Sequence, residues 1–166
     1  MKPFKGWKQR LEIQMNNRNA PIIIFLFLLT ASYFSCAHLK DARQSFEEKN
    51  YTRTISLCKK AIMNDSTDVE AYLLLGKSYR SSDSLILALH TMERAHQLQS
   101  ESPVIIRELT QINILLGDKA ILAENDQQAL SYYEAAESLS PTHQDAMKKI
   151  AEIYVNNGKL DKAKLK

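Results

Sequence analysis

Small residues recur along this chain with a single period of 34 positions. Ala42 and Gly76 are 34 apart, as are Thr54 and Ala88, Ala61 and Ala95, Gly117 and Ala151, and Ala129 and Ala163. Self-similarity at a fixed period of roughly 20–50 residues is the mark of a repeat architecture, in which each unit buries its apolar face on its neighbours. A generic helical bundle also carries small and apolar residues at helical spacing, but it gives no reason for one shared register. With only 4 Gly and 4 Pro in 166 residues, long loops and a turn-rich β fold are disfavoured, and the chain reads as all-α.

Between residues 72 and 95 stand Tyr72-x2-Leu75-Gly76-x2-Tyr79, then Ala88-x3-Met92, then Ala95. This pattern resembles the tetratricopeptide repeat, and the resemblance covers residues 37–166. The departure is Ser100, which stands where that family usually has proline. The resemblance implies a right-handed superhelix of helical hairpins. Within each hairpin two helices cross closely, at ~8–10 Å between axes, and small side chains permit the approach. Larger neighbours (Tyr72, Leu75, Tyr79, Leu85, Leu89 and Met92) fill the space around them. Ala129, Tyr133, Ala136 and Pro141 repeat the arrangement in a third unit, and Met147, Ile150, Ala151, Tyr154 and Gly158 in a fourth. The domain therefore reads as residues 36–166, with units at about 35–68, 69–102, 103–143 and an incomplete 144–166.

One interval breaks the period. Gly76 to Gly117, Ala88 to Ala129 and Ala95 to Ala136 are each 41, so seven residues are inserted between the second and third units. Seven residues make about two helical turns, which a helix can absorb without turning its buried face outward. Ser102-Pro103 is a start signal, a capping serine followed by proline in the first helical position. It predicts a first helix of unit three from about Pro103 to Ala123, two turns longer than its siblings. The rival placement keeps Gly117-Asp118 as the hairpin turn and lengthens the second helix. The polar break at Glu124-Asn125-Asp126 favours the first. Unit four stops at Lys166, and its apolar face of Ile150, Ile153 and Tyr154 is expected to lie partly open. Either the chain is the first part of a longer protein or a partner covers that end.

The net charge of +3 is a property of the N-terminus. Residues 1–20 carry Lys2, Lys5, Lys8, Arg10 and Arg18 against Glu12, leaving 17 basic and 18 acidic residues for the remainder. A nearly neutral body lacks the footprint that nucleic-acid binding requires. The basic stretch precedes an uncharged apolar run of 14 residues, Pro21 to Phe34. That is short of the ~20 apolar residues of a spanning helix and within the range of a signal-peptide core. Residues 1–35 therefore read as a signal peptide or membrane anchor that exports the rest of the chain. Ser35-Cys36-Ala37 at the end of the run resembles a bacterial lipoprotein signal, which implies cleavage before Cys36 and lipid attachment there. Tyr33 stands where leucine is usual, and the alternative is an uncleaved anchor or an ordinary signal with a coincidental thiol. The stretch from Met15 alone is a compact signal, so Met15 is the expected start; precursor peptides from residues 1–14 would reject it.

No HExxH, P-loop, GxGxxG or GxSxG pattern occurs, and none of His38, His90, His96 and His143 has an i, i+4 partner for a metal. Cys58 falls on an inward position of the second helix of unit one, as a small apolar thiol. No catalysis, cofactor, metal or small-molecule substrate is expected. In the family that the repeat resembles, the first helices of successive units line a concave groove for a peptide or partner helix. Position by position this implies Leu73, Leu74 and Lys77 from unit two. It adds Ile114, Leu115, Asp118, Ile121 and Leu122 from unit three, and Lys148, Lys149 and Glu152 from unit four. The alternative packs several of these residues inside the lengthened helix. Leu39, Arg43, Leu73 and Leu74 stand where chaperone-binding members of the family clamp a carboxylate, so that clamp is not reproduced. The expectation is an exported, membrane-tethered, periplasm-facing scaffold that binds protein or peptide partners in assembling a cell-envelope complex. The alternatives are the sensory or regulatory N-terminal part of a longer signalling protein, or a chaperone-like holdase.

Overall fold

A computed structural model describes residues 38–156 and residue 158, and among these the chain forms seven helices and no strand. They are α1 (38–47), α2 (Tyr51–Asn64), α3 (Val69–Ser81), α4 (Leu85–Leu98), α5 (Pro103–Leu122), α6 (Asp126–Leu139) and α7 (Gln144–Asn156). The apolar N-terminal run, Cys36 and Ala163 lie outside the described residues. No helix among the described residues is long and apolar enough to cross a membrane. From α2 onward each helix packs on the next in sequence order, and α5 also touches α3.

The connections are as periodic as the core. Each pair α1–α2, α3–α4 and α5–α6 is joined by three residues, and each pair is joined to the next by four. The middle residue of each hairpin turn is left-handed: Lys49 (φ 58°), Asp83 (φ 60°) and Glu124 (φ 56°), with Gly158 (φ 68°) in the corresponding place after α7. The turns share one bonding scheme. The N–H of the residue after the left-handed one reaches back five positions, from Asn50 to Ser45 (2.8 Å), Ser84 to Tyr79 (2.9 Å) and Asn125 to Ala120 (2.9 Å). These six-residue closures satisfy helix-end carbonyls and require positive φ at the middle position. Asn50 and Asn125 also cap the next helix, accepting from Arg53 N–H (3.1 Å) and Gln128 N–H (3.0 Å). Only Gly158 is of the residue type that takes this conformation without steric cost. Glu124→Gly should therefore raise stability by roughly 0.5–1 kcal/mol, read as a higher denaturant midpoint at unchanged slope. A lower midpoint would refute it.

The inserted heptad lies in the first helix of unit three. α5 has 20 residues where α3 and α7 have 13, and α6 keeps 14, like α4. Pro103 occupies the first helical position, while the Ser102 hydroxyl makes no capping hydrogen bond. α5 serves two registers at once. Toward the preceding unit it keeps the ordinary period: Pro103 follows Val69, the first residue of α3, by 34. Its stripe Ile105, Leu109, Ile112 and Leu116 is buried in one core with Leu75, Tyr79, Leu85, Ala88, Met92 and Ala95. Toward its own partner it is shifted by seven. Gly117 takes the place of Gly76, and Ile114 and Ala120 join a second core with Ala129, Tyr133, Ala136, Ala146, Ile150 and Ile153. Units three and four are therefore displaced by about two turns, roughly 10 Å along α5.

Two expectations are corrected. Ile150 and Ile153 are buried in the second core, because that face of α7 packs back onto unit three. Ile114 is likewise buried in that core and is not a groove residue. Cys58 is fully buried, and desolvation, followed by the charge of Asp68, raises its pKa from 9.0 to about 12. The folded thiol thus stays protonated at pH 8. Iodoacetamide at pH 8 should label Cys58 only after denaturation, as read by peptide mass spectrometry; rapid labelling of folded protein would overturn this placement.

Candidate functional site

The first helices of the units are tied to one another by charge. Arg43 of α1 holds Glu70 of α3 through two hydrogen bonds of 2.5 Å. On α3, Arg80 and Lys77 converge on Glu108 of α5, at 3.1 and 3.8 Å. Lys149 of α7 donates to Asp118 of α5 at 2.5 Å. Such pairs hold the stacked hairpins in register, and where they lie half-exposed each contributes ~1 kcal/mol or less. They also occupy part of the surface proposed as a groove. Lys77 is engaged by Glu108, and Leu73 and Leu74 are half-buried against the first core, as is Leu115. In the N-terminal part of the expected groove Leu73, Leu74 and Lys77 are thus partly exposed and partly engaged by their own contacts.

The C-terminal part opens into a pocket of about 360 Å³, lined by Asp118, Ile121, Leu122, Asp126, Tyr133, Lys149, Glu152, Ile153 and Asn156. Five groove residues expected from the repeat positions meet here: Asp118, Ile121, Leu122, Lys149 and Glu152. Lys148 faces elsewhere, onto a hollow of about 260 Å³ with Gln144, Met147 and Ala151 on the opposite side of α7. The pocket lies at the C-terminal end of α5. Lys119 bonds to Asp83 in the α3–α4 turn (2.7 Å), which marks how far unit two reaches along α5. In the last turn of the helix Ile121 (38% exposed) and Leu122 (84% exposed) face outward.

Tyr133 is the residue that repeat position did not nominate, since it lies on the second helix of its unit. It is buried at 1% exposure, 41 positions after Met92, in the same packing role against the small residue of the first helix. A buried phenol needs a hydrogen-bond partner, and that need was the available signal. Its hydroxyl donates to Asp118 Oδ1 at 2.7 Å, the same oxygen that accepts from Lys149, and the Lys149 ammonium lies 5.6 Å from the ring centroid. Burial pushes the Tyr133 pKa upward, with the Asp118 hydrogen bond and the charges of Asp118 and Glu152 adding to it. The hydroxyl therefore remains a donor, and the pocket has a fixed polar floor beneath apolar walls. Such a site can hold and orient a ligand. Among the described residues no cluster of His, Cys, Asp and Glu is arranged to hold a metal.

Helical hairpins stacked in sequence order, with small residues at their crossings, define a tetratricopeptide-type repeat fold. The comparisons agree at the level of fold. No family model matches the chain. The "Tetratricopeptide repeat protein 21 homolog" of Caenorhabditis elegans is 21% identical over 123 residues, covering 74% of this chain but 9% of that protein. Among solved structures, MamA is 21% identical with a TM-score of 0.55, covering 98% of this chain and 90% of its own. YrrB, described as a TPR protein with an unusual peptide-binding site, is 21% identical with a TM-score of 0.51, over 76% of this chain and 61% of its own. The second TPR domain of human RPAP3, solved with an HSP70 peptide, is 15% identical with a TM-score of 0.54, over 74% of this chain and 97% of its own.

Proposed function

We propose that this chain is a protein-binding adaptor that seats a segment of a partner protein in the pocket formed by α5, α6 and α7, without chemical turnover. The observation that carries the reading is the exposure of Ile121 and Leu122 at the end of α5, above the polar floor of Asp118, Tyr133 and Lys149. Exposed apolar side chains rimmed by oriented polar groups suit helix-in-groove or apolar-peptide recognition. That YrrB and the RPAP3 domain are peptide-binding proteins of the same fold supports it. The N-terminal run and Cys36 support a tether, with the domain outside the cytoplasmic membrane of a bacterial cell as a scaffold for an envelope complex.

A photo-crosslinking residue at position 122 should capture a defined partner in cells. The same residue at Met63, equally exposed on α2 but far from the pocket in the repeat order, should not. Equal capture from both positions would sink the reading. Palmitate labelling should disappear in Cys36→Ala; unchanged labelling would end the tethering part alone.

A further inference from the structure

The pocket has a charge that selects among peptides. Its lining holds three carboxylates, Asp118, Asp126 and Glu152, against one ammonium, Lys149. Lys149 is committed to Asp118 at 2.5 Å and lies near the Tyr133 ring. An anionic ligand would have to draw that ammonium away from Asp118 and would then face Glu152, which is exposed on the same helix one turn further on. A cationic side chain meets no such barrier. It can pair with Glu152 at the rim while an apolar neighbour rests on Ile121, Leu122 and Ile153. Like-charge contact costs more than an exposed opposite pair gains, so the electrostatics act mainly by exclusion.

We infer that the occupant of the α5–α7 pocket is a partner-protein segment that sets a lysine or arginine beside a large apolar side chain. The inference rests on the adaptor reading above and gives its ligand a chemistry. Two registers of one helix make the site: the first ends at Lys119–Asp83, and the second carries Asp118 to Lys149 and Tyr133. The apolar rim and Asp118 come from the end of α5, and the other two carboxylates, Asp126 and Glu152, from α6 and α7.

Two labelled twelve-residue probes test it, one of alternating leucine and lysine and one of alternating leucine and glutamate. Binding to the full chain in detergent is followed by fluorescence anisotropy at roughly 0.1 M salt, where surface charges are partly screened. The leucine–lysine probe should bind at least tenfold more tightly. Glu152→Lys should reduce its affinity about tenfold or more at an unchanged thermal midpoint, while Glu47→Lys on exposed α1 leaves it unaltered. Leu122→Ser should weaken it as well. Equal binding of both probes, or loss of affinity in Glu47→Lys as large as in Glu152→Lys, would overturn the charge selection. If both probes bind equally and Leu122→Ser still weakens both, apolar docking survives and only its charge preference falls. If neither probe binds at millimolar concentration, the adaptor reading of this pocket falls with it.

Discussion

Gly117→Ala is expected to destabilise the protein by roughly 1–3 kcal/mol, whereas Gly76→Ala should change stability by about 1 kcal/mol or less. The two glycines hold equivalent places in successive hairpins, and each sits under one large side chain of the second helix. A Cβ at Gly76 would lie 2.8 Å from Met92 Cε and 2.9 Å from Cγ. Methionine is unbranched and can turn its thioether aside, so the gain of ~1 kcal/mol from replacing a mid-helix glycine offsets most of the repacking. A Cβ at Gly117 would lie 2.7 Å from Tyr133 Cδ1 and 2.8 Å from Cζ. That ring is flat, buried, and held at its far end by the 2.7 Å hydrogen bond to Asp118. It cannot yield without breaking that bond, worth ~1 kcal/mol, and disturbing the pocket floor. Urea denaturation of the two variants measures the contrast. A Tyr133→Met background should erase most of the Gly117→Ala cost, giving a coupling free energy of about 1 kcal/mol or more. Equal costs at the two glycines in the natural background would mean that the ring is not anchored as described.

The fold was legible in the sequence because the requirement behind it is geometric. Two helices that cross closely need a small residue at the crossing, so Gly76, Ala88 and Ala95 had to recur wherever the unit recurred. The length of α5 was legible for the same reason: the jump from 34 to 41 counts the inserted residues, and Ser102-Pro103 marks where the helix begins. The distribution of its two faces was not. A heptad leaves a helix face almost unrotated, so spacing alone cannot say which half of α5 meets the older unit and which the newer. Ile114 shows the consequence. By repeat position it corresponds to Leu73 and belongs to the groove, yet it joins the core with Ala146 and Ile150 on α7. Lys77 is a different case: it stays partly exposed at a groove position, and Glu108 approaches it from the lengthened helix. The hairpin turns were silent at Lys49 and Glu124, whose residue types seldom take the left-handed conformation, while Asp83 is of a type enriched there.

Two leucines of α5 should separate the structural and ligand-facing uses of that helix. Leu109 is 2% exposed and lies in the first core with Ile105 and Ile112. Leu109→Ala removes buried methyl groups where close-packed neighbours relax only in part, and should cost ~2–5 kcal/mol. Leu122, thirteen residues further along the same helix, is 84% exposed on the pocket rim. Leu122→Ala leaves no cavity and keeps a good helix former, so its effect on stability should stay within ~0.5 kcal/mol. The contrast tests those two uses of α5 directly. If the N-terminal turns of α5 were a solvated spur added to an otherwise ordinary hairpin, Leu109→Ala would be nearly neutral. Leu122 ends α5 as the exposed Ser81 ends α3, and a cost like that of a core substitution would mean that Leu122 is packed and not on the pocket rim. Equilibrium denaturation of both variants decides between these outcomes: a large loss at position 109 beside an unchanged midpoint at position 122 is the result expected when the start of α5 is core and its last turn is free for a ligand.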